Sequence, residues 1–451
     1  MRTSGWLAST IALCALGLTP LCASGQISQA WHQHVNGTAN GPDSGVAVAT
    51  DSIGSAYIAI ASEGVGTRLD IVTIKYNLLG SRVWTRRFDG AGHGDDVPSA
   101  ITVDGAGNVL VVGYTTGVTG LRQMVTIKYD TGGNTLWTRV FNGSGSGNSA
   151  ATAVRTDALG RVYVTGISDF TTPSGSSSSS KVALVKYQSN GIQAWSQLYG
   201  GASTGVNTGR DLAIDSGGNV YATSSLGMQG GATAIGIEVY NSTGQLEDAV
   251  HYSDSSHAET ATHSLLVGNR LLVLGSSPLS SALLSYGVTF NSTTKALQLQ
   301  LQWIRHSSSR LTSIGVDGNG NTCATGSIAT TSHGTDISTI QWDASGNQMW
   351  NAHWDGANHL NDAGSALAVE VDGAVFVCGY SVVNSGGSSS VVTLQYNPSG
   401  KLVSRSIFGA GLSQNTVGCA LFHNSRLYEV GSISFGLASD PDALLIADNV
   451  P

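Results

Sequence analysis

Pro98-Ser-Ala-Ile-Thr-Val-Asp104, Asn108-Val-Leu-Val-Val-Gly113, Met124-Val-Thr-Ile-Lys-Tyr129 and Thr135-Leu-Trp-Thr-Arg-Val-Phe141 follow one another with only short turns between them. Each segment is rich in β-branched or aromatic residues and is bounded by Gly, Asn or Asp, the signature of short strands joined by tight turns. The four strands are called a, b, c and d. The unit recurs about every 53 residues along the chain. Strand a ends at Asp51, Asp104, Asp157, Asp215 and Asp317, and the third residue after each is Gly. An Asp opens such a turn by accepting backbone N–H bonds, and Gly closes it at positive φ. Strand c ends in Tyr76, Tyr129, Tyr187, Tyr240, Trp342 and Tyr396, and strand d carries Trp84, Trp137, Trp195, Trp303 and Trp350.

The eighth unit stops after strand c, at 443–448. The missing strand stands at the other end, where Trp31-His-Gln-His-Val35-Asn-Gly37 repeats the strand-d pattern of Trp84-Thr-Arg-Arg-Phe88-Asp-Gly90. A repeating array that begins with the strand its end lacks closes into a ring, which removes the sheet edges that invite aggregation. The expected fold is all-β, a β-propeller of eight four-stranded blades. Its closing strand d falls in 26–38. Blades follow at 39–90, 91–143, 144–201, 202–253, 254–307, 308–356 and 357–409, and strands a–c of the last at 410–451. Unit five has Gly268 in place of the Asp turn; if it forms no blade, the ring has seven.

These units resemble the bacterial SBBP β-propeller repeat family of secreted and surface proteins. The resemblance rests on Asp215-Ser-Gly-Gly-Asn-Val-Tyr221 and Asp104-Gly-Ala-Gly-Asn-Val-Leu110, on Ile-Lys-Tyr in strand c, and on Gly-x-x-x-Trp leading into strand d. It implies the propeller and brings no chemistry with it, because the repeated residues are structural.

Composition agrees. Of 451 residues only 11% are charged, 59 are Gly, and the net charge is −8 with no basic run. Phosphate binding needs clustered Lys and Arg, so no nucleic-acid partner is expected. Residues 1–25 read as an export signal: Arg2, an apolar core from Leu7 to Leu18 too short to span a bilayer, then Pro20 and the small residues Ala23, Ser24 and Gly25. The mature chain is expected to be secreted, periplasmic or on the cell surface, monomeric, and without a transmembrane segment. Cys323, Cys378 and Cys419 remain after cleavage. An odd number cannot form a complete disulfide framework, so buried thiols are expected, with a Cys378–Cys419 bridge as the alternative.

No catalytic motif stands out. The Asp-x-x-Gly-x-x-x-Trp turns, Asp130 to Trp137 and Asp343 to Trp350, look superficially like the sialidase Asp-box and the quinoprotein Trp-docking motif, both themselves structural. Asp104-Gly-Ala-Gly-Asn108 offers one carboxylate where calcium wants several. No metal or cofactor is expected. Polar residues gather instead in the d–a and b–c loops, which share one face of a propeller: His93, Asp95 and Asp96 before blade two, His257 and Glu259 before blade five, His333 and Asp336 in blade six, His359 and Asp362 before blade seven. His and carboxylates are the players of acid–base and metal chemistry. Polar residues also simply populate solvated loops. The recurrence of Asp or Asn at Asp43, Asn148, Asn207 and Asn415 favours a capping role at the start of strand a. The expected function is a non-catalytic binding scaffold for a glycan or a surface protein on this face. The alternative is a carbohydrate-active hydrolase or lyase with carboxylates or His at the channel mouth.

Overall fold

A computed structural model describes residues 26–143, 147–170, 180–200, 205–228, 232–253, 260–277, 280–291, 296–423, 426–434 and 441–450. The proposed leader, Ser174–Ser180 except its last residue, and His257 and Glu259 lie outside the described residues.

All regular structure in these residues is β. Six four-stranded antiparallel sheets follow in chain order from Asp43 to Trp354. Two further blades share one long strand, Leu402–His423, which serves as strand d of blade 7 and strand a of blade 8. Blade 8 is completed by Arg426–Ser434, Asp442–Asn449 and, last, the N-terminal strand Ser28–Val35. The N-terminal strand pairs antiparallel with Asp442–Asn449, with Trp31 opposite Ala447 and Val35 opposite Ala443. Each strand a packs against the next around the ring, blade 8 against blade 1 included. The ring has eight blades. Unit five does form one, because Val267-Gly268-Asn269-Arg270 still closes a tight turn, with Gly268 at φ 60°.

Strands b and c are sandwiched between neighbouring blades, so both their faces are buried and they read as near-continuous apolar runs. Ala56–Glu63 and Leu69–Tyr76 are buried almost throughout. Strand d lies at the rim and alternates, as in Arg82–Phe88. The core is therefore a ring of inter-blade layers. One layer joins Tyr57, Ile71 and Trp84 of blade 1 to Val109, Val111, Ile127 and Tyr129 of blade 2. The layer between blades 8 and 1 joins Tyr428, Val430 and Leu445 to Ile58, Ile74 and Tyr76, with Trp31 against it.

The repeated polar residues hold this frame. Asp51 Oδ1 accepts the Ser55 N–H and its Oδ2 the Tyr57 hydroxyl. Lys128, from Ile-Lys-Tyr, forms a buried ion pair with Asp104 at 2.8 Å, and its Nζ also reaches the Ser189 carbonyl of the next blade. Each strand-d Trp donates its indole N–H to a carbonyl in the c–d turn of the following blade: Trp84 to Thr131, Trp137 to Ser189, Trp195 to Ser242 and Trp350 to Pro398. Trp31 does the same to Leu78 of blade 1 at 3.0 Å, so the N-terminal strand carries the ladder across the closure. The turn glycine lies on the indole: a Cβ at Gly133 would meet Trp84 Cδ2 at 2.7 Å. Trp31 itself is only partly buried, like Trp195, Trp303 and Trp350 and unlike Trp84 and Trp137. Cys323 and Cys378 are both buried; the Cys419 side chain, and with it the alternative Cys378–Cys419 bridge, lies outside the described residues.

Candidate functional site

The d–a loops fold by a common device. Asp96 is fully buried and accepts N–H bonds from Gly90 and Thr116. Asp43 caps Gly37 and Asp362 caps Gly356 in the same way, both at 2.5 Å. Asn207 Oδ1 accepts from Gly227. Burial raises the Asp96 carboxyl, its hydrogen bonds to Thr115, Gly90 and Thr116 oppose this, and the Asp89 charge adds to the rise. His93 and His359 both adopt positive φ, 48° and 53°, and each sets Nδ1 against the Asp four residues earlier: His93 to Asp89 at 2.6 Å, His359 to Asp355 at 2.5 Å. Asp95 is held less tightly, with Arg68 at 3.8 Å.

Two groups of the loop residues singled out in the sequence thus come together at two separate blade junctions. His93, Asp95 and Asp96 lie between blades 1 and 2, whereas His333, Asp336, His359 and Asp362 lie between blades 6 and 7. A single site uniting His93 with His333 and His359 is not formed. Asp355 is the residue that sequence reasoning missed. It sits between His359 and His333, the latter's Nε2 at 3.8 Å, and belongs to two close-set groups, His333–Asp355–His359 and Asp336–Asp355–Asp362. Its signal was the Asp or Asn before Gly at the end of strand d, as in Asp89-Gly90 and Asp355-Gly356.

A second feature lies in the channel. All eight strands a carry a register shift at the same place, such as Pro98/Ala100, Ala151/Ala153 and Leu311/Ser313. A bulge re-aims a side chain and frees backbone groups. In several blades the extra residue is Ser or Thr, whose hydroxyl bonds a nearby carbonyl: Ser99 to Val112, Thr152 to Thr165 and Gly209, Thr312 to Thr325 and Gly364. In blade 4 it is Arg210. The next residue is Ala47, Ala100, Ala153 and Ala366 in blades 1, 2, 3 and 7, but Asp211 in blade 4 and His263 in blade 5. The repeat departs from its pattern where it faces the channel.

Arg210 and His263 line a cavity of about 590 Å³ together with Thr260, Ser277, Arg310 and Thr312. Thr260 and Arg310 begin their strands and Ser277 follows a strand b, so the cavity opens on the d–a/b–c face. Asp211 is taken up by Arg155 at 2.7 Å and by the Ser264 N–H. Arg210 Nε donates to Ser225 Oγ, and neither Arg210 nor Arg310 has a carboxylate partner among the described residues. Desolvation lowers the pKa of Arg210. It also lowers His263, whose Nδ1 has no hydrogen-bond partner among the described residues; the Asp211 charge opposes this and Arg155 adds to it. The mouth presents two guanidiniums, an imidazole and hydroxyls, in a chain of net charge −8.

Comparison with known proteins supports the architecture. Residues 83–121 match the SBBP beta-propeller repeat family model. No curated protein matches the sequence. Among solved structures, Sqt1 of Chaetomium thermophilum bound to the N-terminus of ribosomal protein L10 aligns at TM-score 0.58 and 12% identity, over 91% of this chain and 98% of that one. A second structure of Sqt1 from the same organism aligns at 0.54 and 13% identity, over 90% of this chain and 95% of that one. The polysaccharide lyase Uly1 aligns at 0.46 and 12% identity, over 90% of each chain. At such identities the likeness concerns the fold alone.

Proposed function

We propose that the protein is an exported binding scaffold that holds an acidic glycan at the channel mouth on its d–a/b–c face. The observation that carries this reading is the pair Arg210 and Arg310, brought by blades 4 and 6 to one cavity without a carboxylate partner among the described residues. A guanidinium recognises a carboxylate or sulfate by charge and by its fork of donors, and the surrounding Thr and Ser hydroxyls suit sugar hydroxyls. Export is proposed from the leader-like residues 1–25. No helix of the described residues is long and apolar enough to cross a membrane. An array of acidic and neutral glycans tests the reading. Acidic glycans should be retained by the wild type and lost with Arg210→Ala and Arg310→Ala. Retention of neutral glycans alone, or of acidic ones by both variants, overturns it.

One observation favours a second reading. His263, whose pKa burial lowers, lines the same cavity as the two guanidiniums. That is the pairing of a base and a carboxylate-neutralising cation that β-elimination from a uronate would use. An ultraviolet assay for the unsaturated uronate product separates it from binding alone. Product formed by the wild type and abolished by His263→Ala would make the protein a lyase; no product keeps the binding reading.

A further inference from the structure

The loop clusters at blades 1–2 and 6–7 are built on one plan, and the difference between them is informative. Asp70 and Asp336 are each the second residue of a strand c, Leu69–Tyr76 and Thr335–Trp342. Asp89 and Asp355 each follow a strand d, Arg82–Phe88 and Gln348–Trp354. Asp96 and Asp362 each cap the following d–a loop. In both trios the carboxylate oxygens lie within 4.8 Å of one another. Three carboxylates so close repel strongly unless a cation stands among them.

At blades 1–2 that cation is part of the chain. Arg87, the penultimate residue of its strand d, sets Nη1 2.6 Å from Asp70 Oδ2 and also donates to Ser62. At blades 6–7 the same position holds His353, which is exposed, and no Arg or Lys pairs with the trio among the described residues. Two imidazoles stand there instead. His333 takes the place of Thr67, three residues before the strand-c Asp, with Nδ1 3.5 Å from Asp336 and Nε2 3.8 Å from Asp355. The rings of His333 and His359 are 5.5 Å apart. Both trios keep buried Oδ1 atoms without a hydrogen bond, Asp70 and Asp89 at one junction and Asp336, Asp355 and Asp362 at the other, but only the first trio has a guanidinium to neutralise it; the nearest cationic group to Asp336 Oδ1 is His333 Nδ1. Buried carboxylates without a permanent cation are costly, and here the trio has two imidazoles beside it as potential nitrogen ligands.

We infer that the blade 6–7 junction is a binding site for a divalent transition-metal ion of the zinc class. His333, Asp355 and His359 are its ligands, and Asp336 and Asp362 supply further ligation or charge. The mixed imidazole and carboxylate set suits Zn²⁺ and Co²⁺ better than Ca²⁺ or Mg²⁺, which take oxygen ligands. The ion replaces the Arg87 guanidinium of the sister junction and clamps the b–c loop of blade 6 to the d–a loop of blade 7. This site is separate from the channel mouth and does not depend on what binds there.

The test uses the full mature chain without a polyhistidine tag, stripped with chelator and titrated calorimetrically with Zn²⁺, and with Co²⁺ followed by visible absorption. The expected result is one site, weakened on the order of tenfold or more by His333→Ala, His359→Ala and Asp355→Asn. His93→Ala and His32→Ala, which touch the other junction and the N-terminal strand, should leave it unchanged. His333→Gln keeps a polar side chain and guards against a folding defect, with circular dichroism confirming the strands. The inference is overturned by no saturable binding, by binding of Ca²⁺ in preference to Zn²⁺, or by equal losses with His93→Ala.

Discussion

Replacing Trp31 by Ala attacks the closure of the ring at a single side chain. The indole donates to the Leu78 carbonyl and packs between Tyr76 and Tyr428, with ring centroids 6.1 and 6.0 Å away. The hydrogen bond contributes about 0.5–1.5 kcal/mol and each aromatic contact about 0.5–1.5 kcal/mol beyond area burial. A fully buried Trp cut to Ala costs about 3–5 kcal/mol. Trp31 is only partly buried, so about 2–4 kcal/mol is expected, against the full range for Trp137, which is 7% exposed. Both variants would be unfolded in denaturant, and the N-terminal strand followed by limited proteolysis. Trp31→Ala should lower stability and make residues 26–38 the first site of cleavage. If it costs under about 1 kcal/mol while Trp137→Ala costs its expected amount, or if 26–38 can be deleted without loss, the shared last blade is wrong.

Gly133→Ala should cost about 2–5 kcal/mol, since a left-handed backbone costs about 1–2 and overpacking about 1–3; its φ is 82° and the new Cβ would meet Trp84. Gly120→Ala, at φ 78° with nothing within 4 Å, should pay only the backbone part; equal losses in denaturant unfolding would remove the indole contact from the account. Glu238 is fully buried, donated to by Ser224, and burial pushes its carboxyl up to about 8. Its folded pKa lies above its unfolded one, so the native state holds the extra proton and stability falls by about 1.4 kcal/mol per pH unit from roughly pH 4.5 to 8. Glu238→Gln should remove that slope and be the more stable protein at pH 8; parallel stability–pH curves would contradict the assignment.

The scaffold was legible in the sequence because it is written repeatedly. The Asp turn, the Tyr of strand c, the turn Gly and the strand-d Trp each recur in most units, the strand-c Lys in three, and each proves to bond or pack within the frame. The closure was legible because Trp31 reproduces a strand-d residue whose blade is missing. The positions proposed to carry function were harder to see. Arg210 and His263 sit in strands that read as ordinary, and only the bulge shared by every strand a reveals that they face the channel. Asp355 was hidden because Asp before Gly looks like one more turn; its meaning depends on His333, which reaches it from the b–c loop of the same blade, and on His359 in the loop that leads to the next. Unlike the Trp ladder, whose partners stand 47 residues apart in three of its rungs, this loop contact occurs once and has no repeat spacing to announce it.

The claim that the channel mouth holds a carboxylated ligand is tested most directly by calorimetric titration with one oligogalacturonate in two forms, the free acid and its methyl ester. The account predicts that the free acid binds, that esterification abolishes binding, and that Arg210→Ala and Arg310→Ala each weaken the free acid while leaving the strands intact. Equal binding of acid and ester, or no binding of either together with an array empty of acidic glycans, would contradict it.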